Sequence, residues 1–233
     1  IKKSVLELGG SDPFIVLEDA DINEAVDVGI VSRMQNAGQS CIAAKRFIVH
    51  ESVYNEFLDK YTKAAQALII GDPLNEDTYI GPIARDYLVE ELQQQVNKSV
   101  EMGAKVVCGG KRSSVGESYF EPTVLVDVKE GMPAYKEEIF GPVAIVFKVS
   151  TDEEAIRIAN DTEFGLGAAV WSADISKAKR IATQIRTGTV AINGGVRSEP
   201  RLPFGGTKKS GFGRELAELG LKEFANIKTI NVF

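Results

Sequence analysis

Histidine occurs once in the 233 residues and cysteine only twice. One histidine excludes a histidine-rich metal site, and it permits a Ser-His-Asp or Cys-His device only if His50 itself serves it. His50 closes the apolar run Phe47-Ile48-Val49 just ahead of a helix that Ser52 should cap, the setting of a surface or packing residue. A nucleophile in this chain must therefore exchange protons with carboxylates, lysines or water. Cys41 and Cys108, far apart in an acidic chain, are expected to be reduced and unpaired. No apolar run approaches the ~18 residues of a membrane span. Positive charge is in deficit: 27 Lys and Arg against 33 Asp and Glu leave a net charge of −6, which argues against a nucleic-acid partner. There is no basic-then-apolar leader, so a cytoplasmic location is expected, and Asn97-Lys98-Ser99 and Asn160-Asp161-Thr162 are not read as glycosylation sites. The chain opens on Ile1, inside what reads as a strand, and is expected to be a piece of something longer.

What is present is the composition of a soluble globular protein with a large core, 44% apolar and 26% charged. Asp21-Ile22-Asn23-Glu24 is a capping box, and Ile22, Ala25, Val26, Gly29 and Ile30 follow at helical spacing to about residue 36. A strand over 45–50 precedes a second helix, in which Val53, Phe57, Tyr61, Ala64 and Leu68 share a face until Gly71-Asp72-Pro73 stops it. Leu88, Leu92 and Val96 mark a third helix, ending near Gly103 and followed by a strand over 105–108. The β-branched runs 122–126 and 143–149 read as buried strands. A second capping box, Thr151 to Glu154, opens a helix to about residue 160. A strand over 167–171, a helix over 174–186 and a strand over 189–193 complete an alternation. That alternation predicts an α/β fold, a mostly parallel sheet with helices on both faces. A short helical piece around 215–224 and a terminal strand over 227–233 lie beyond a glycine-rich stretch, and that strand could join a neighbouring sheet edge.

Three segments could carry chemistry. In Gly38-Gln39-Ser40-Cys41-Ile42-Ala43-Ala44-Lys45-Arg46 a cysteine follows a helix end among small residues, with two cations nearby that would favour a thiolate. Cys41 is either a nucleophile or, like most free cysteines, a small buried hydrophobe. In Leu6-Glu7-Leu8-Gly9-Gly10 a lone acid stands in apolar surroundings that would raise its pKa towards that of a general base, unless it is exposed on an edge strand. In Glu137-Glu138-Ile139-Phe140-Gly141-Pro142 acids and a ring precede a strand, either a place for a ribose and a flat heterocycle or a solvated turn. Gly165-x-Gly167 and Gly211-x-Gly213 lack the third glycine of a phosphate-binding loop.

Together with Pro203-Phe204-Gly205-Gly206 and Lys209-Ser210-Gly211, these segments resemble, in order and spacing and over essentially the whole chain, the aldehyde dehydrogenase superfamily. The wording around Ser11-Asp12-Pro13 and Gln39-Ser40-Cys41-Ile42-Ala43-Ala44-Lys45-Arg46 is most similar to its succinate-semialdehyde dehydrogenase branch. The resemblance implies oxidation of a small aldehyde with NAD or NADP, through a thiohemiacetal and a thioester on Cys41. It makes Glu7 the base that prepares the hydrolytic water. Glu138 would hold the nicotinamide ribose, Phe140 would lie beside the nicotinamide, and Ser198 and Phe204 would line the substrate tunnel. Gln35 stands where several succinate-semialdehyde enzymes have an arginine, so Arg33, Arg197 or Arg201 would take the distal carboxylate. The implied division is 1–9, the end of a cofactor-binding domain; 10–206, the catalytic domain; and 207–233, with the oligomerisation strand of a homo-oligomer. The isolated chain is then expected to be inactive. A dehydrogenase acylating coenzyme A, and a non-catalytic scaffold of the same fold, are the alternatives.

Overall fold

The structure, a computed structural model, describes residues 2–233. Its main sheet has the order β4 (Lys105–Cys108), β5 (Thr123–Val126), β6 (Val143–Val149), β3 (Ala44–His50), β2 (Asp12–Val16), β7 (Gly167–Trp171), β8 (Thr189–Ile192). All neighbours are parallel except β4 with β5. The short β1 (Leu6–Glu7) pairs antiparallel with β9 (Gly211–Phe212), Glu7 lying opposite Gly211.

Helices cover both faces, as the alternation predicts. On one lie α1 (Ile22–Met34) and α2 (Glu51–Gln66), with Phe14, Phe47, Phe57 and Tyr61 forming a buried aromatic group. Phe47 stands 5.1 Å from Phe14 and 4.7 Å from Tyr61, ring centroid to centroid. Gly29 lets α1 approach the ring of Phe47, which a Cβ there would meet at 3.0 Å. On the other face α5 (Asp152–Asn160) lies across β3 and β2, and α6 (Ile175–Ala182) flanks β7 and β8. At the β4 side α3 (Asp86–Glu101) lies beside α4 (Pro133–Lys136), and α7 (Ala217–Glu223) follows β9. Among the described residues no helix is long and apolar enough to cross a membrane.

Both N-caps form: Glu24 N–H donates to Asp21 Oδ1 at 3.0 Å and Glu154 N–H to Thr151 Oγ1 at 3.1 Å, while the Glu154 carboxylate accepts from Ser150 N–H at 2.9 Å. Three boundaries differ from the sequence reading. The cap of α2 is His50, not Ser52, because the His50 backbone is extended and its Nδ1 accepts from Ser52 N–H at 3.3 Å. Helix α6 stops at Ala182, where Thr183–Ile185 tighten into turns. Residues 227–233 form no strand: they pair with no segment among the described residues, and Ile227, Ile230, Val232 and Phe233 are exposed.

The parallel strands begin at one edge of the sheet. The segments entering β2, β3, β6 and β7, namely Gly9–Ser11, 39–43, 138–142 and 165–166, therefore converge there. This is the opposite edge from the one where open α/β sheets usually bind ligands.

Candidate active site

The Cys41 loop is shaped by a strained turn. After α1 a single 3-10 turn, Gln35–Gly38, places Asn36, Ala37 and Gly38 in the left-handed region, at φ 52°, 52° and 72°. For an alanine this costs about 1–2 kcal/mol. Gly38 is required doubly, since a Cβ on it would collide with the Gly141 carbonyl. Gln39 stitches the turn down: its Nε2 donates to Asn36 O at 3.0 Å and Pro82 O at 3.2 Å, and its Oε1 accepts from Ala84 N–H at 2.8 Å.

Strand alternation separates the two neighbouring cations. Arg46 points towards α5, donating to Ser11 O at 2.9 Å, Ile158 O at 2.7 Å and Ala159 O at 2.9 Å. Lys45 points the other way, fully buried, its Nζ donating to Ser40 O at 2.9 Å and Cys41 O at 3.1 Å and lying 3.3 Å from Glu138 Oε1. Of the two cations only Lys45 lowers the Cys41 pKa, helped by the Ile42 N–H; burial, the larger effect, with Asp12 and Glu138, pushes the thiol up overall. The expectation of a thiolate favoured by two cations is thus corrected, and a base must take the proton. The Cys41 N–H donates to no group among the described residues.

Glu7 has the character of such a base. Both carboxylate oxygens are buried and without a hydrogen-bond partner, beside Gly205, whose missing Cβ would lie 2.9 Å from Oε1. Burial, then the like charge of Glu215, raises the pKa of Glu7, and Arg214 opposes them. Gly9 and Gly10, which follow in the chain, let Glu138 and the Cys41 loop approach the backbone closely. A Cβ on Gly9 would strike the Glu138 carboxylate, and one on Gly10 the Cys41 carbonyl. Gly10 N–H donates to Glu138 Oε1 at 3.0 Å.

Glu138 Oε2 makes no hydrogen bond among the described residues, its side chain is 20% exposed, and the open Phe140 ring lies 6.0 Å from Lys45 Nζ. A free carboxylate oxygen over a glycine floor, with a ring alongside, fits a ribose diol and a flat heterocycle.

The other predicted residues scatter. Ser198 lines a groove of about 860 Å³ with Arg197, Arg201, Gln35 and Ile42, the residue after Cys41. Phe204 is not among its walls: its backbone pairs both ways with Glu215, at 2.9 and 2.8 Å, and its side chain is buried. Arg33 is corrected as well. It is fully buried, donating to Val143 O at 2.7 Å, Ile139 O at 2.8 Å and also Gly141 O, with Nη1 unpartnered, so it braces the loop carrying Glu138 and Phe140 and is not among the groove's walls.

Asp12 was not singled out by the sequence, which shows it only as one polar residue at a strand start. It is wholly buried, Oδ1 accepting from Gly167 N–H at 2.9 Å and Oδ2 unpartnered, and burial, against Lys45, raises its pKa to about 6. A carboxyl raised from 3.8 in the folded state favours folding while protonated, so its contribution is lost as pH climbs from about 4 through 6. Asp12→Asn is expected to gain stability over the parent across that window, by about 3 kcal/mol at pH 7, read by urea unfolding at several pH values. A stability difference that stays constant with pH would refute it.

Comparison with known proteins supplies the remaining findings. The aldehyde dehydrogenase family profile matches residues 1–230. A probable NADP(+) succinate-semialdehyde dehydrogenase of Synechocystis is 52% identical over 230 residues, covering 99% of this chain and 51% of its own. The crystal structure of succinic semialdehyde dehydrogenase from Streptococcus pyogenes with NADP+ superposes with a TM-score of 0.94 at 41% identity, over 98% of this chain and 50% of that one. That of succinate-semialdehyde dehydrogenase from Burkholderia pseudomallei gives 0.93 at 43%, over 96% and 46%. The chain spans about half the length of the curated relatives it matches.

Proposed function

Since the chain belongs to the aldehyde dehydrogenase family, we propose that it is the catalytic part of an enzyme oxidising a small acidic aldehyde, succinate semialdehyde foremost, to the carboxylic acid with NAD(P)+. The observation that supports this reading is the Cys41 carbonyl packed against Gly10, three residues along the chain from Glu7, whose carboxylate oxygens are buried and unpartnered.

Glu7 takes the Cys41 thiol proton, directly or through a water, and the sulfur adds to the aldehyde carbon. The oxygen of the resulting thiohemiacetal turns to the unpaired Cys41 N–H. A bound nicotinamide dinucleotide supplies the two-electron oxidation that converts this adduct into a thioester. Glu138 Oε2 takes the ribose hydroxyls and Phe140 flanks the ring. Glu7 passes the thiol proton to solvent, then deprotonates the water that hydrolyses the thioester, and returns the second proton to the leaving Cys41 sulfur, releasing acid and restoring the thiol. Arg197 is the group for a distal carboxylate: it lines the groove and forms no ion pair among the described residues, whereas Arg201 is bound to Glu199 at 2.7 Å. The exposed apolar residues of 227–233 are read as the contact with a second copy.

The test is a panel of aldehydes with both cofactors on the full-length protein. Succinate semialdehyde should exceed an uncharged aldehyde of equal length in kcat/KM by about tenfold or more, the worth of one ion pair to Arg197. Equal values would remove the acidic substrate, and no oxidation of any aldehyde would remove the function.

A further inference from the structure

Lys45 has no exposed side-chain surface, yet the chemistry above does not use it. Its Nζ faces four acceptors: Ser40 O at 2.9 Å, Cys41 O at 3.1 Å, Ala43 O at 3.4 Å and Glu138 Oε1 at 3.3 Å. Three of these belong to the loop that carries the sulfur, and the fourth to the carboxylate assigned to the ribose. Gly10 closes the circuit, its N–H donating to the same Glu138 oxygen while its bare Cα leaves room for the Cys41 carbonyl.

Peptide planarity turns this into a statement about the sulfur. In a trans peptide the C=O and the following N–H point in opposite directions. When Lys45 draws the Ser40 and Cys41 carbonyls inward, the N–H groups of Cys41 and Ile42 must point outward. The Ile42 N–H is the one that lowers the Cys41 pKa, and the Cys41 N–H is the unpaired one. Both donors therefore owe their direction to one ammonium group.

We propose that Lys45 is a positioning residue: it holds the two peptide planes that aim N–H donors at the Cys41 sulfur and at the adduct oxygen, and through Glu138 it ties that aim to the cofactor carboxylate. The proposal rests on the reading of Cys41 as the nucleophile, but its test does not require dehydrogenase activity. The charged groups facing Lys45 are Arg33 from α1, Asp12 from β2 and Glu138 from the segment before β6, with Cys41 beside it. Burial, with Arg33, lowers the Lys45 pKa to about 8, so the ammonium persists at pH 7 and is lost just above.

The experiment is alkylation of Cys41 in Lys45→Met by iodoacetamide, resolved from Cys108 by peptide mass spectrometry. Cys108 is buried, with Sγ donating to Pro122 O at 3.7 Å, and serves as the internal reference for intact folding. The Cys41 rate at pH 7 should fall about tenfold and its pH midpoint should rise by about one unit, with Cys108 unchanged. A Cys41 rate within about twofold of the parent, in a variant that still protects Cys108, overturns the proposal. If Lys45→Met exposes Cys108, the parent decides: the carbonyl carbon resonances of Ser40 and Cys41 should step together near pH 8, and flat resonances overturn it equally. A slowed Cys41 in a protein that oxidises no aldehyde would sink the proposed function and leave the positioning role standing.

Discussion

Cys41→Ser in the full-length protein is expected to lose aldehyde oxidation by about 10³-fold or more, with the fold intact. The exchange replaces one sulfur by oxygen in a half-buried position and leaves an acceptor for the Ile42 N–H, so stability should hold. Chemistry should not. Burial already pushes the thiol up, and Lys45 with the Ile42 N–H only partly offsets this. A serine hydroxyl starts several pKa units higher and is beyond the reach of a carboxylate base such as Glu7. Steady-state rates on the preferred aldehyde measure the loss; a residual rate within about tenfold of the parent would mean that the oxidation does not pass through this sulfur.

Glu7→Gln should divide the reaction in two. Attack and oxidation can proceed with a water taking the thiol proton, but hydrolysis of the thioester needs a base held in place. A first turnover followed by a stall is expected, seen as a burst of about one equivalent of reduced cofactor and a steady state lower by about 10²–10⁴-fold. The pH dependence gives a second signature. Glu7 has a pKa raised by burial and by Glu215, and it acts as a base only when ionised. Turnover in the parent should therefore rise with pH through that elevated value, and this acid limb should vanish in the variant. Steady-state turnover equal to the parent would assign the base elsewhere; an equal loss of burst and steady state would show that no water replaces Glu7 in taking the thiol proton.

Much of the architecture follows from local chemistry. Both N-caps, the aromatic face of α2 and the β-branched runs of β5 and β6 come from residues whose preferences agree with their tertiary setting. The Gly9-Gly10 pair reads from the sequence as room for something, and the structure shows what occupies it, Glu138 on one side and the Cys41 carbonyl on the other. Reach of long side chains does not read out of sequence in this way. Arg33 looks like a substrate ligand because of where it stands in the chain, yet three carbonyls of the 139–143 segment consume it, and only the folded path of that segment reveals this. Asp12 was invisible for the same reason, since its burial depends on β3, β7 and the 138–142 segment meeting around it. For residues 227–233 the pattern is that of a strand, but no segment among the described residues pairs with them.

The adjacent basic pair in β3 also bears on how the protein reaches its native state. Lys45 satisfies the cysteine loop on one side of the sheet and Arg46 ties down the end of α5 on the other. A slip of β3 by a single residue against β2 and β6 would exchange their destinations, sending a five-donor fork into a cage shaped for an ammonium and a compact cation to carbonyls spaced for a fork. A misaligned pairing would thus bury charge without matching acceptors, which disfavours it against the native register. The two cations tie the native register of β3 to acceptors on opposite sides of the sheet.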